Sequence, residues 1–434
     1  MSTLKAVRGT RDLLPPETAL WNRIEAVARS VFARYNFGEI RTPIFEDTAL
    51  FARGVGEETD IVSKEMYTWE DRARAQSEKT QSLTLRPENT AGVVRAYIEH
   101  KLGETGQLAK LYYIGPQFRR ERPQKGRYRQ FSQIGAEVIG PTHAGSESPL
   151  RDAEVLEMLA TFLDELGITG WTLKINSVGS SADRPRYIET LRTALAPVVS
   201  QMCPDCQRRA ETNPLRVLDC KIPEDQPIID ALPRIADSLD EASRDHFAQV
   251  CAALDASGVP YTHDHRLVRG LDYYTRTTFE FTHGGLGAQN ALLGGGRYDG
   301  LSEAIGGPKA PGIGFAMGED RLVLTLQAQE ANQKAAPPQV ADTYIAPLGP
   351  AQNPAALALA RTLRRQGLRV ELGDGTFRLK KSFEAADKTA RSIVLLGEDE
   401  AQSGILTVKV FATGSQSKVP QTELADLLAG LRNT

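Results

Sequence analysis

Between Pro16 and Tyr35 the apolar residues Trp21, Ile24, Val27, Ala28, Val31, Phe32 and Tyr35 recur every three or four positions, and the run stops at Asn36 to Gly38. That period predicts an amphipathic helix. An extended segment, EIRTPIFEDTALF, follows with Pro43 inside it, which marks an edge or interface strand. The stretch LTLRPENTAG, residues 83 to 92, reads as a strand running into a helix. From Lys110 to Gly140 two runs rich in Tyr, Phe, Ile and Val, partly alternating, flank a polar loop with Pro123 and Gly126. They predict a β-hairpin with a long tip. A second amphipathic helix covers about 151 to 168 and closes at Gly167; the strand WTLKINSVG comes next. The pattern then breaks into a largely helical segment, about 180 to 263, rich in Arg, Asp and Pro.

Alternation returns in LVRGLDYYTRTTFEF, residues 267 to 281, and the glycine-rich stretch from Gly294 to Arg321 holds the strand GIGFAMG leading into a helix. A polar linker, residues 329–342, separates a last region of about ninety residues that alternates strands and helices, a small α/β domain. The predicted division is therefore a domain over 1–328 carrying the helical insertion, the linker, and a domain over 343–434.

Length agrees with that division, since 434 residues exceed one ordinary core. Hydrophobic residues make up 41% and charged residues 25%, so the chain falls in the globular class, away from disordered or fibrous ones. It has no apolar run of membrane-spanning length, and MSTLKAVRGTRDLLPP lacks a signal-peptide core. The expectation is a cytoplasmic protein with no membrane partner. Cys203, Cys206 and Cys220 cluster but make no secreted disulfide framework. A zinc site would need a fourth ligand, and the nearest spare histidine, His246, stands at no standard spacing; no metal is expected there.

Charge changes the picture locally. The net charge is −3, yet from Arg119 to Arg129 six residues are basic and one is acidic. A basic tip is expected to meet phosphate or nucleic acid, the alternative being a merely solvated loop. Alternation also groups the chemistry of the hairpin. Arg119 and Glu121 share one face of the first strand, and Phe131, Gln133, Gly135 and Glu137 share one face of the second. Paired antiparallel, the two faces make a polar floor, a poor core surface and a good ligand site. Gly135 is expected to let a ligand lie against the backbone, as are the consecutive glycines at 294–296. At the helix entry, Thr90 and the first backbone N–H groups can hold an anion and Glu88 an ammonium; the plainer alternative is an ordinary helix entry in which Glu88 favours the N-terminal dipole.

The run FRRERPQKGRYRQFSQIGAEV resembles motif 2 of the class II aminoacyl-tRNA synthetases, in the form found in the histidyl-tRNA synthetase family. Other stretches agree. The opening helix, strand and Pro43 resemble motif 1, the dimer-interface motif. RGLDYY resembles the histidyl-specific signature, and GIGFAMG running into Glu319 and Arg321 resembles motif 3. The resemblance implies an antiparallel α+β catalytic domain with a helical insertion that leans over the tRNA, and a C-terminal α/β anticodon-binding domain. It further implies a homodimer.

The implied reaction is ligation in two steps. The carboxylate of L-histidine attacks the α-phosphate of ATP and releases pyrophosphate; the histidyl group then passes to the terminal ribose of tRNA(His). Mg²⁺ is expected to arrive with ATP, with no other cofactor. By resemblance, Arg119 and Arg269 are catalytic, neutralising the α-phosphate. Glu88, Asn89, Thr90, Gln133, Glu137, Tyr273, Tyr274 and Tyr298 hold histidine, Asn89 standing where the family pattern has Gly. Arg119, Glu121, Arg127, Phe131 and Arg321 hold ATP, and Arg122, Gln124, Lys125 and Arg129 touch tRNA. Two alternatives are a histidine-binding regulatory paralogue of ATP phosphoribosyltransferase and a non-enzymatic RNA-binding protein. The last domain and the arginines at 119, 269 and 321 speak against the first, and the polar floor against the second.

Overall fold

A computed structural model describes residues 3–56, 59, 61–71, 80–124, 126–268, 273–286, 290–330 and 341–432. The chain divides into two compact units, Met1–Ala335 and Ala336–Thr434. Residues 331–340, most of the expected linker, lie outside the described residues.

The first unit is built on an eight-stranded sheet. Its order is Gly38–Glu39, Ala109–Phe118, Gln130–Ile139, Gly312–Gly318, Ala291–Tyr298, Thr275–His283, Trp171–Ser177, Tyr261–His263. The six central strands are antiparallel, and the short strand at each edge runs parallel to its neighbour. Period-2 alternation decides what each face does. In Gln130–Ile139 the residues Ile134, Ala136 and Val138 enter the main apolar core, as do Ile313, Phe315 and Met317 of the next strand. Gln133, Gly135 and Glu137 therefore fall on the other face.

Helices Glu17–Arg34, Pro149–Leu166 and Glu319–Glu330 cover the core face. The first ends where Asn36 takes a positive φ of 62°, a conformation Asn tolerates better than most residues. The second starts with Ser148 accepting from the Leu150 N–H, with Pro149 in its first turn, and it stops at Gly167 in the left-handed region. On the opposite face Thr90–Glu99 packs Val94 and Tyr97 against Ile139, Tyr298 and Leu301.

Between Val178 and Leu239 the chain folds around a cluster of its own, centred on Tyr187, Leu191, Leu215, Val217 and Ile235. The predicted insertion ran to about 263, but helix Glu241–Ser257 places Val250 and Leu254 in the main core, and Tyr261–His263 joins the main sheet. Its apolar positions answer to the main sheet and not to the helical unit. One buried polar knot ties these layers together. Asp152 accepts from Thr277 Oγ1 at 2.6 Å, lies 2.8 Å from His246 Nε2, and is clasped by the Arg297 guanidinium.

The second unit is a five-stranded sheet in the order Val370–Leu372, Thr343–Pro347, Ser392–Leu396, Ile405–Val410, Gln416–Pro420. The first three strands are parallel and the last two pairings antiparallel. Helices Asn353–Arg365 and Leu424–Gly430 cover one face and Leu379–Thr389 the other. Two elements were not predicted, the short helix Glu398–Ser403 and the strand Gln416–Pro420. The strand is an exposed edge with one buried residue, Val419, so its sequence carries no alternation to read.

Candidate active site

The site grows from the hairpin register. Gly115 pairs with Gln133, Tyr113 with Gly135 and Leu111 with Glu137, so odd-numbered residues of both strands share one face. Above that face lies a cavity of about 310 Å³ lined by Glu88, Thr90, Arg119, Gln133, Glu137, Tyr273, Tyr274, Tyr298 and Arg321, among others. A second cavity, about 170 Å³, is lined by Arg119, Glu121, Arg127, Phe131, Gln133 and Arg321. Arg119, Gln133, Gly318 and Arg321 line both, so the two chambers share a wall.

Glu137 is the centre of the larger chamber. It is fully buried, and its two oxygens accept from Thr90 Oγ1 at 2.7 Å and from the Tyr298 hydroxyl at 2.6 Å. Burial pushes its carboxyl up to about 8, against the pull of those two hydroxyl donors. Space for this carboxylate comes from Gly314, where a Cβ would stand 1.7 Å from Glu137 Oε2. No residue other than glycine fits there. Tyr273 stands edge-on to both Tyr274 (4.8 Å between ring centres) and Tyr298 (6.0 Å), and burial keeps the Tyr273 and Tyr298 phenols protonated. Gln133, which lines both chambers, adds a buried Oε1 with no hydrogen-bond partner among the described residues. An acceptor left open in such a place is suited to a ligand donor.

The smaller chamber is basic. The Arg119 guanidinium lies over the Phe131 ring, 5.3 Å from its centre, while its Nε donates to the Pro87 carbonyl at 2.9 Å. Glu121 stands 3.9 Å from Arg119 and 3.3 Å from Arg127. Arg321 donates to the Ala291 carbonyl at 2.6 Å. A planar cation on an aromatic ring beside further arginines makes a site for a purine and its phosphates.

Several sequence expectations look different in three dimensions. The Glu88 carboxylate accepts from the Thr90 and Ala91 N–H groups at 2.8 and 3.0 Å, so it caps its own helix and occupies the donors expected to take an anion. Asn89 does not join the chamber: its Oδ1 accepts from Thr42 Oγ1 at 2.6 Å, and it lines a separate cavity. Gly135 leaves no room for a ligand, because a Cβ there would meet the Tyr113 ring at 2.3 Å. Of the three consecutive glycines, Gly294 lines the larger chamber, whereas Gly295 accommodates the Phe279 ring and the neighbouring strand, and Gly296 the Tyr274 ring. At the tip, Arg122, Gln124 and Arg127 are exposed. Arg129 is instead folded back, its stem against Gly9 and its Nη1 3.2 Å from the Arg8 carbonyl. Arg269 and Lys125 lie outside the described residues.

Two participants were missed. Tyr113 is buried with its hydroxyl unpartnered among the described residues, and Glu137 and Glu88 both act on it. Gly314 is one of three glycines in GIGFAMG, and nothing in that run sets it apart. The signal for Tyr113 lay in the hairpin parity, since 113, 115 and 117 continue the face of Arg119. Gly314 could be found only through its register partner, Glu137.

Comparison with known proteins agrees with this geometry. The family model described as histidyl-tRNA synthetase matches residues 9–322, and that of an anticodon binding domain matches 342–431. A histidine–tRNA ligase of Koribacter versatilis (strain Ellin345) is 72% identical over 97% of this chain and 95% of its own. One from Solibacter usitatus (strain Ellin6076) is 56% identical over 99% and 100%. The crystal structure of apo S. aureus histidyl-tRNA synthetase superposes with a TM-score of 0.78 at 38% identity, covering 98% of this chain and 100% of that one. The regulatory-paralogue alternative is not favoured by relatives of this kind. With these matches spanning both units, the chain belongs to the histidyl-tRNA synthetase family.

Proposed function

We propose that the chain charges tRNA(His) with L-histidine, activating the amino acid with ATP in the two joined chambers. One observation carries this reading. Glu137 is a buried carboxylate with no Lys or Arg paired to it among the described residues, and it lines a cavity that Arg119 and Arg321 also line. The first half calls for a small ligand with N–H donors or positive charge, and the second for phosphate.

In this reading Glu137, Gln133 and the hydroxyls of Tyr273, Tyr274 and Tyr298 take the ammonium and imidazole of histidine. Thr90 and Glu88 act from behind, Thr90 by orienting Glu137 and Glu88 by holding the helix entry. Asn89 is left as a support on the Thr42 side. Histidine's own carboxylate then points toward Arg119, where it attacks the α-phosphate of ATP. The P–O bond to pyrophosphate breaks as the acyl-phosphate bond forms. That step moves charge and needs no proton transfer, so positioning and fixed donors supply most of the rate. Arg119 faces the α-phosphate, and Arg269 is given the same task by family resemblance. Arg321 holds the distal phosphates, Phe131 stacks on adenine, and Glu121 and Arg127 fix the purine edge and phosphate. Magnesium enters as part of the Mg·ATP substrate. The tip is assigned to tRNA, through the exposed Arg122 and Gln124, with Lys125 and Arg129 given the same task by family resemblance.

Among the described residues no helix is long and apolar enough to cross a membrane, and we place the protein in the cytoplasm. We also take it to act as a homodimer. Support comes from Ile44, Phe45 and Trp69, exposed beside Pro43, with the Phe45 and Trp69 rings edge-on at 5.9 Å. An exposed apolar patch of this kind suits a second copy.

Histidine-dependent exchange of labelled pyrophosphate into ATP, without tRNA and with other amino acids as controls, tests the activation step. Exchange is expected with histidine alone. Arg119→Ala should slow it by about 10²–10³-fold, the usual cost of losing a fixed donor to developing charge, while histidine binding by calorimetry stays near normal. Near-normal exchange in that variant would remove Arg119 from the chemistry; tight histidine binding without any exchange would remove the enzyme reading altogether.

A further inference from the structure

The helical unit between Val178 and Leu239 contains a cluster that the synthetase reading does not use. Sulfur atoms of Cys203, Cys206 and Cys220 and a carboxylate oxygen of Asp225 all lie within 4.8 Å of one another. The sequence reading found three thiols and no fourth ligand, His246 being off any standard spacing. His246 is in fact held by Asp152, 2.8 Å away. The fourth donor is a carboxylate, which no cysteine or histidine pattern advertises.

The surroundings suit anionic sulfur. Cys203 caps the N-terminus of helix Pro204–Thr212, where the dipole favours negative charge, and its Sγ accepts from the Cys206 N–H at 3.4 Å. Cys220 Sγ accepts from the Ile222 N–H, also at 3.4 Å. Asp225 is only 2% exposed. Its Oδ1 accepts from the Cys203 N–H at 3.0 Å and its Oδ2 lies 3.2 Å from Cys220 Sγ, yet among the described residues no Lys or Arg forms an ion pair with it. Three thiols around a buried carboxylate without a cation are a costly arrangement.

Spacing separates the two fates of such a cluster. A tetrahedral zinc ion with Zn–S near 2.3 Å sets its sulfurs about 3.8 Å apart. Cys203 Sγ and Cys220 Sγ are 3.9 Å apart. A disulfide needs about 2.05 Å and would leave the third thiol and the carboxylate without a role.

We propose that Cys203, Cys206, Cys220 and Asp225 bind one zinc ion in a closed, four-ligand structural site. The ion fastens the first turn of helix Pro204–Thr212 to the segment ending at Asp225, with thiol protons leaving as it binds. Cys206 and Cys220 belong to the same apolar cluster as Tyr274, a lining residue of the larger chamber.

The test uses the full chain purified under reducing conditions. Elemental analysis should find one zinc per chain. Protein stripped with a mercurial and refilled with Co²⁺ should show the sulfur-to-cobalt charge-transfer band and the visible bands of a tetrahedral site. Cys203→Ser and Cys220→Ser should lose most of the zinc, and Cys251→Ser, outside the cluster, should keep it. Asp225→Asn preserves size and should lose zinc faster to a chelator, which covers the case in which the serine variants misfold. Wild-type chain that takes up neither zinc nor cobalt, a cobalt spectrum without sulfur ligation, or a Cys203–Cys220 disulfide in metal-replete protein would each overturn the proposal.

Discussion

Arg297 and Tyr298 are consecutive residues of one strand, and each touches a fully buried carboxylate on its own face of the sheet. The two carboxylates behave in opposite ways. Burial alone would raise Asp152, but the Arg297 guanidinium and His246 outweigh it and hold the carboxyl at about 2. Glu137 meets the same burial with only two hydroxyl donors, and it rises to about 8. Asp152 belongs to a finished knot that needs nothing more. Glu137 belongs to a site whose missing partner has to come from outside. Burial of charge therefore does not by itself mark a binding site; burial of charge without its counter-charge does.

Removing the counter-charge from the finished knot should have the largest effect. Arg297→Leu takes the guanidinium from the buried Asp152 and leaves it only His246 and Thr277, and a loss of about 3–5 kcal/mol of stability is expected in urea unfolding. The pH dependence should follow. A carboxyl held near 2 contributes stability that is present above the unfolded value of about 3.9 and is lost as pH falls toward 2. The variant should give up that contribution and unfold at a higher pH on acidification. For Glu137 the sign reverses. Its folded value exceeds the unfolded one, so it weakens the empty protein as pH rises from the ordinary carboxylate range to about 8, and nothing further changes above that. Glu137→Gln should therefore leave stability unchanged or raise it near neutral pH. A loss comparable to that of Arg297→Leu would mean that Glu137 is structural after all.

Ligand binding should reverse the ranking of the two sites. Glu137→Gln is expected to weaken histidine by about 10–100-fold, as for a lost charged hydrogen bond of about 1.5–3 kcal/mol. A second signature is more specific. A bound ammonium favours the carboxylate form, so histidine should expel a proton from Glu137 near pH 7. Calorimetry in two buffers of different ionisation enthalpy reads that release directly. Wild type should show it and Glu137→Gln should not; equal release from both would place the proton elsewhere, the ligand's own imidazole included.

How far the sequence reveals this contrast depends on the physics behind each residue. Gln133 and Glu137 were readable because a strand has a period of two and polar residues stood on a single parity. Counter-charges were not readable. Arg297 lies 145 residues from Asp152, and no periodicity joins them. Glycines reported space without saying who fills it: Tyr113 and Tyr274 took places expected for ligand, and the Glu137 carboxylate took the space at Gly314. Glu88 illustrates competition within a motif: a carboxylate next to free N–H groups uses them itself. Asp225 was invisible among the cysteines because carboxylates are common and only the fold singles one out.

The contrast should fade at the surface, where water neutralises charge and a missing partner costs little. Arg122 is exposed at the hairpin tip, and Arg129 is folded back on Gly9 and the Arg8 carbonyl. Arg122→Ala should leave pyrophosphate exchange and stability unchanged, because nothing buried depends on it. Its effect belongs to tRNA alone: weaker binding at low salt, and a plot of log affinity against log salt shallower by about one ion. Arg129→Ala removes packing as well as charge, so it should lower stability in addition to tRNA affinity. If the two variants behave alike, with the salt slope unchanged in both, the tip is a solvated loop and the tRNA contact lies elsewhere. If Arg122 changes only the salt slope, then the same distinction that separates Glu137 from Asp152 extends to the basic tip. A charge whose partner is already present supports the fold, and one whose partner is absent is available to a ligand.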